Sequence, residues 1–127
     1  MEDVVSAELK LAEEFLQDAK LLFNNCSFRS AESRLYYSIF HAARALLLRK
    51  GFQPKTHKGT IALFGKEVIG KGMIEEKYAK LLSKTFSLRE EADYLALATI
   101  DEIELEGLIK DAERFVDKME SLCAESI

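Results

Sequence analysis

Apolar residues recur at intervals of three and four along most of the chain, and strict alternation is weak. That periodicity predicts helices rather than strands. A first helix is predicted from about Val4 to Phe23, with Leu9, Ala12, Leu16, Ala19 and Phe23 on one side. The segment "NNCS" breaks it. A second helix is predicted from about Phe28 to Lys50, with Gly51 as its stop. Pro54 fixes the loop "FQPKTH" that follows. A third, shorter helix runs from about His57 to Ile69 and ends at "GKG", Gly70 to Gly72. A fourth is predicted from about Ile74 to Leu97. A fifth opens at Asp101, whose Glu104 three residues later suits a helix start, and continues through Ile109, Ala112, Phe115, Val116 and Met119. Long helices with short connections pack antiparallel. The expected fold is therefore all-α: an up-and-down helical bundle of four long helices plus one short helix, forming a single domain over residues 1–127.

The second helix departs from a simple amphipathic pattern. At about 100° per residue, Phe28, Ala31, Leu35, Ile39, Ala42 and Leu46 share one face. Tyr36, Phe40, Ala43 and Leu47 share the next, so apolar residues cover more than half the cylinder and the helix is predicted to be central. The remaining edge carries Arg34, Tyr37, His41 and Arg44, stacked as neighbours by spacings of three, four and three. Arginine offers a planar fork for phosphate or carboxylate, and histidine exchanges a proton near neutral pH. Such an edge suits the handling of a phosphodiester. It equally suits solvated arginines beside one satisfied histidine.

Two further positions draw notice. In "FSLREEADYLAL", Arg89 and Asp93 share a face with Leu82 and Phe86 and are four apart, so they can pair. The pair either locks the helix or borders a groove, where Arg89 would face an anion or Asp93 would orient a residue such as His41. His57 stands at the predicted start of the third helix with Lys55 and Lys58 beside it. That is a setting for an anion, or for a solvated loop histidine.

Composition narrows the options. A net charge of −4 with 48% hydrophobic residues fits a soluble domain with a core of its own, without a broad basic surface for nucleic acid. Cys26 and Cys123 lack metal-type spacing and read as reduced thiols of a cytoplasmic protein, with a bridge between them as the alternative because both sit near predicted helix ends. The acidic opening "MEDVVSAELKLAEE" does not have the form of a secretion signal, and no apolar run approaches the roughly 18 residues of a membrane span. There is no phosphate-binding glycine loop, no serine elbow and no zinc-type grouping of His41 and His57, so neither metal nor cofactor is expected.

The stretch "AESRLYYSIFHAARALLLRKGFQPKTHKG", followed by "LREEADY" and the closing "AERFVDKM", resembles the HEPN domain (higher eukaryotes and prokaryotes nucleotide-binding), in its small stand-alone prokaryotic branch. The resemblance spans about residues 6 to 122. It implies a helical bundle that is commonly a homodimer. Many members are metal-independent RNases whose motif is an arginine, four to six residues and a histidine. Arg34 and His41, six residues apart, match that spacing. The residue after Arg34 is Leu35, where the motif usually has a polar one, and the pair lies in the second helix rather than nearer the C-terminus. Small prokaryotic members often work with a separate minimal nucleotidyltransferase, as a toxin–antitoxin or nucleotide-handling pair.

Three functions are consistent with these residues. The first is a nucleotide- or RNA-binding module with a nucleotidyltransferase partner, using Tyr37, Arg44, His57, Lys58, Arg89, Asp93 and Tyr94 as groove residues. The second is an RNase toxin in which Arg34 stabilises charge on phosphate and His41 transfers the proton. The third is a non-catalytic homodimeric interaction protein with the polar edge at its interface.

Overall fold

The computed structural model of the chain describes residues 3–125. The single domain expected over 1–127 includes residues 1, 2, 126 and 127, which lie outside the described ones. Five α-helices follow in order: α1 Val4–Asn24, α2 Phe28–Arg49, α3 His57–Leu63, α4 Glu76–Tyr94 and α5 Glu102–Glu125. No strand occurs among the described residues, and the architecture is an all-α helical bundle. Among them no helix is long and apolar enough to cross a membrane.

The helix ends follow their local chemistry. Asp3 caps α1 by accepting from the Ser6 N–H at 2.8 Å, and Thr56 caps α3 by accepting from the Gly59 N–H at 2.8 Å. Asp101 accepts from the Glu104 N–H at 3.1 Å, as the fifth helix's opening predicts. α1 and α2 end alike. The Ser27 N–H reaches back to the Leu22 carbonyl, and the Phe52 N–H reaches back to the Leu47 carbonyl. This closure needs a left-handed residue, supplied by Gly51 at φ 94° after α2 but by Cys26 at φ 62° after α1.

Two boundaries differ from the periodic expectation. The third helix changes after Leu63 into a π-helical turn, Phe64–Ile69, which keeps Phe64 and Val68 in the core. At its exit a Cβ on Gly70 would meet the Lys66 carbonyl oxygen at 2.6 Å, so the close backbone approach there requires glycine. The fourth helix stops at Tyr94, short of the predicted Leu97. Arg29 of α2 binds the carbonyls of Ala92, Leu95, Ala96 and Ala98, and so stabilises the open backbone between α4 and α5.

α2 is central, packing against α1, α3, α4 and α5. Leu35, Tyr36, Ile39, Ala42, Ala43, Leu46 and Leu47 are fully buried in it. They meet Ala12, Leu16 and Ala19 of α1, Leu82 of α4, and Phe115, Val116 and Met119 of α5. Cys26 is exposed and Cys123 is buried, and both are free thiols.

Candidate functional site

The polar edge of α2 faces α1. Arg34 is exposed, while Tyr37, His41 and Arg44 are half-buried. The Phe15 ring of α1 stacks on the His41 imidazole with centroids 5.6 Å apart and lies 5.7 Å from the Tyr37 ring. The Arg34 guanidinium lies 5.7 Å from the centre of the same Phe15 ring. One phenylalanine thus joins Arg34, Tyr37 and His41 into a layer.

Glu8, two turns before Phe15, closes the edge at its other end. Its Oε2 lies 2.6 Å from His41 Nδ1, and its Oε1 lies 2.5 Å from Arg44 Nη1. The Glu8 side chain is only 13% exposed, where an unpaired carboxylate would be costly. Burial pushes this carboxyl up, but the bond and charge of His41 and the Arg44 guanidinium outweigh it and hold Glu8 below its ordinary value. An ionised carboxylate only accepts, so Nδ1 of His41 carries the proton of this bond. That leaves Nε2 without a hydrogen bond to the described residues.

A second histidine joins from α3. The Tyr36 hydroxyl lies 2.7 Å from His57 Nδ1. Tyr36 is fully buried, and burial raises its hydroxyl far above the ordinary value, so the phenol keeps its proton while sharing this hydrogen bond with His57. The His57 ring stacks on Phe40 at 4.3 Å. Burial, followed by the charges of Arg89 and His41, lowers the His57 pKa. The two histidines therefore differ in partner: Nδ1 of His41 donates to a carboxylate, and Nδ1 of His57 meets a buried phenol.

Arg89 arrives from α4. Its guanidinium lies over Tyr36 at 5.6 Å and over Tyr37 at 5.1 Å, and its Nε donates to Asp93 Oδ2 at 3.0 Å. The adjacent tyrosines of α2 thus receive Arg89 from α4 and His57 from α3. Four helices converge here.

The structure brings Arg34, Tyr37, His41, Arg44, His57 and Arg89 together. Asp93 joins only through Arg89, and Glu8, not Asp93, orients His41. Lys58 and Tyr94 are exposed, with no hydrogen bond or ring contact to the cluster among the described residues. Sequence reasoning missed Glu8, Phe15 and the polar role of Tyr36. A signal existed for the first two. Val5, Glu8, Ala12, Phe15 and Ala19 continue one three-and-four series, and Glu8 is the carboxylate that interrupts its apolar run. Among the described residues, the carboxylates close enough to share a cation are Glu13, Asp117 and Glu120, none of them in this cluster.

Chemically, the cluster combines guanidinium groups for phosphate, flat rings for stacking, and an imidazole fixed through one nitrogen with the other open.

Comparison with known proteins places the chain. The family model described as the HEPN domain matches residues 5–122. A protein of Methanocaldococcus jannaschii, provisionally named a toxin, is 43% identical over 121 residues, covering 95% of this chain and 90% of that one. A UPF0332 protein of Thermotoga maritima is 35% identical over 121 residues, covering 95% and 92%. Another UPF0332 protein, from Archaeoglobus fulgidus, is 38% identical over 116 residues, covering 91% and 92%. With the family model spanning nearly the whole chain and relatives this close along their own lengths, the chain belongs to the HEPN domain family.

Proposed function

We propose that this chain is a nucleotide- or RNA-binding HEPN module of the toxin type. The observation that carries the reading is the layer of Arg34, Tyr37 and His41 on Phe15, with Arg89 and His57 on the adjoining tyrosine pair. It places cations beside flat aromatic surfaces on an otherwise acidic protein, the combination that binds phosphate and base together. The name of the Methanocaldococcus relative supports the toxin assignment. The module acts as a homodimer in the cytoplasm, with a minimal nucleotidyltransferase as its partner, as the family resemblance suggests. Calorimetric titration with nucleotides and short single-stranded RNA, with and without that partner, tests the reading. Binding that is lost in Arg34→Ala and Arg89→Ala supports it, and no binding under either condition rejects it. Sedimentation analysis tests the dimer.

A second reading, RNA cleavage, is favoured by the Glu8–His41 contact. A carboxylate on Nδ1 fixes the tautomer and orientation of the ring, which leaves Nε2 to act as base or acid. Arg34 would stabilise charge on the phosphate. His41→Ala should abolish cleavage while RNA still binds. Wild-type protein that leaves RNA intact, or a His41→Ala variant that cleaves equally well, rejects this reading.

A further inference from the structure

Between α4 and α5 lies a cavity of ≈ 290 Å³, lined by Lys77, Lys80, Lys84 and Arg114 against one carboxylate, Asp111, which accepts a hydrogen bond from Arg114 Nη1 at 3.2 Å across their exposed side chains. That excess of positive charge stands out on a chain whose net charge is −4. The three lysines fall at i, i+3 and i+7 along α4, where like charges oppose one another. The carboxylates that moderate them hold loosely. Glu75 is 3.7 Å from Lys77 and Glu104 is 3.8 Å from Lys84, all well exposed, and such pairs contribute little. Lys80 makes no ion pair with the described residues. These ammonium groups are available to an incoming anion.

The cavity is not only charged. Tyr78, Leu81 and Leu108 supply an apolar wall, with the Tyr78 ring packed against Phe115 of the core at 5.8 Å and so fixed in place. Gly107 adds a separate observation. Glycine inside a helix costs about 1 kcal/mol relative to alanine. Yet a Cβ at Gly107 would meet nothing within 4 Å, so packing within the chain does not require glycine there. At about 100° per residue, Gly107, Asp111 and Arg114 share one side of α5. The helix backbone is therefore open to close approach beside the cavity.

This region is separate from the α2 edge. Around α4, Lys84 and Arg89 are about 140° apart, so the lysines face α5 while Arg89 faces the tyrosine pair.

We propose that the α4–α5 cavity is a second binding site, for a phosphate-bearing ligand of mononucleotide size. Lys77, Lys80, Lys84 and Arg114 would hold the phosphates, and Tyr78 with its leucine neighbours would receive an aromatic or apolar moiety. The volume sits at the small end of the roughly 300–1,000 Å³ usual for ligand pockets, too small for a folded partner.

Amide-resolved NMR titrations with ATP, inorganic tripolyphosphate and a short single-stranded RNA test the assignment. ATP should shift the resonances of residues 77–84 and 107–114. The affinity read from those resonances should fall about tenfold or more in the Lys80→Glu, Lys84→Ala double variant, whose changed residues are exposed, while any shifts at residues 34–57 and 89 stay as in wild type. That last comparison separates this site from the α2 edge. Four results overturn the proposal: shifts confined to residues 34–57 and 89; ATP binding unaffected by the double variant; tripolyphosphate binding as tightly as ATP, which removes the role of Tyr78; or saturation by RNA alone.

Discussion

Glu8 of α1 accepts a 2.6 Å hydrogen bond from Nδ1 of His41 in α2, while its second oxygen binds Arg44. One carboxylate thereby fixes the orientation of the histidine and neutralises one of the edge's two arginines. The cation left without an ion pair among the described residues is Arg34. The geometry divides the edge into a bound half and an available half.

Removing Glu8 should therefore both destabilise the bundle and free His41. Glu8→Ala is expected to cost about 2 kcal/mol at neutral pH, because it leaves two half-buried donors without their acceptor. The pH dependence has a definite sign. The Glu8 carboxyl is held below its ordinary 4.5, so its contribution is fully present above that value and disappears as pH falls through the depressed one. Urea unfolding at pH 7 and pH 3 checks this: the gap between wild type and variant should be wide at pH 7 and narrower at pH 3.

Arg89 lowers the His57 pKa through its charge, after burial itself. Arg89→Ala should consequently move the His57 titration upward, followed by its ring proton signals in NMR. It should also remove the cation–π contacts with Tyr36 and Tyr37, at a cost of about 1 kcal/mol in thermal unfolding.

Glu32 is 4% exposed, and its Oε1 has no hydrogen-bond partner among the described residues. Burial, with Glu104, Glu91 and Asp93 nearby, pushes its carboxyl up to about 7, against the opposing charge of Arg29. A raised carboxyl keeps its proton in the folded state, so stability falls as pH rises from its ordinary 4.5 through about 7. Glu32→Gln should raise stability at pH 8, by on the order of 2 kcal/mol, and change little at pH 4.5. Melting curves across that range measure it.

Cys26 occupies a left-handed position that Gly51 fills at the matching end of α2. Cys26→Gly should stabilise the protein by about 1 kcal/mol by relieving the contact of Cβ with the backbone. A rise in denaturation midpoint at unchanged slope would be the expected reading.

Much of the bundle was legible in the sequence because burial imposes a period. The three-and-four recurrence located all five helices, and the three-four-three spacing placed Arg34, Tyr37, His41 and Arg44 on one edge. The end of α4 was not legible, since it depends on Arg29, more than sixty residues away, meeting the carbonyls after Ala92. The π-helical turn was hidden for a related reason: apolar spacing does not distinguish it from a continuing α-helix. His57 and Arg89 each drew attention alone, through neighbouring lysines and a possible partner in Asp93. Their meeting on Tyr36 and Tyr37 follows from how α3 and α4 pack on α2, which no local pattern encodes. Glu8 was the clearest missed signal, a charge inside an apolar series.

The central claim is that the α2 edge, through Arg34, binds a nucleotide or RNA strand. Fluorescence anisotropy of a labelled single-stranded RNA, titrated with wild-type protein and with Arg34→Ala at fixed low salt, tests it most directly. The account predicts saturable wild-type binding that weakens about tenfold or more in Arg34→Ala, with the helical content of the variant unchanged. Equal affinity of the two proteins for the RNA would contradict it.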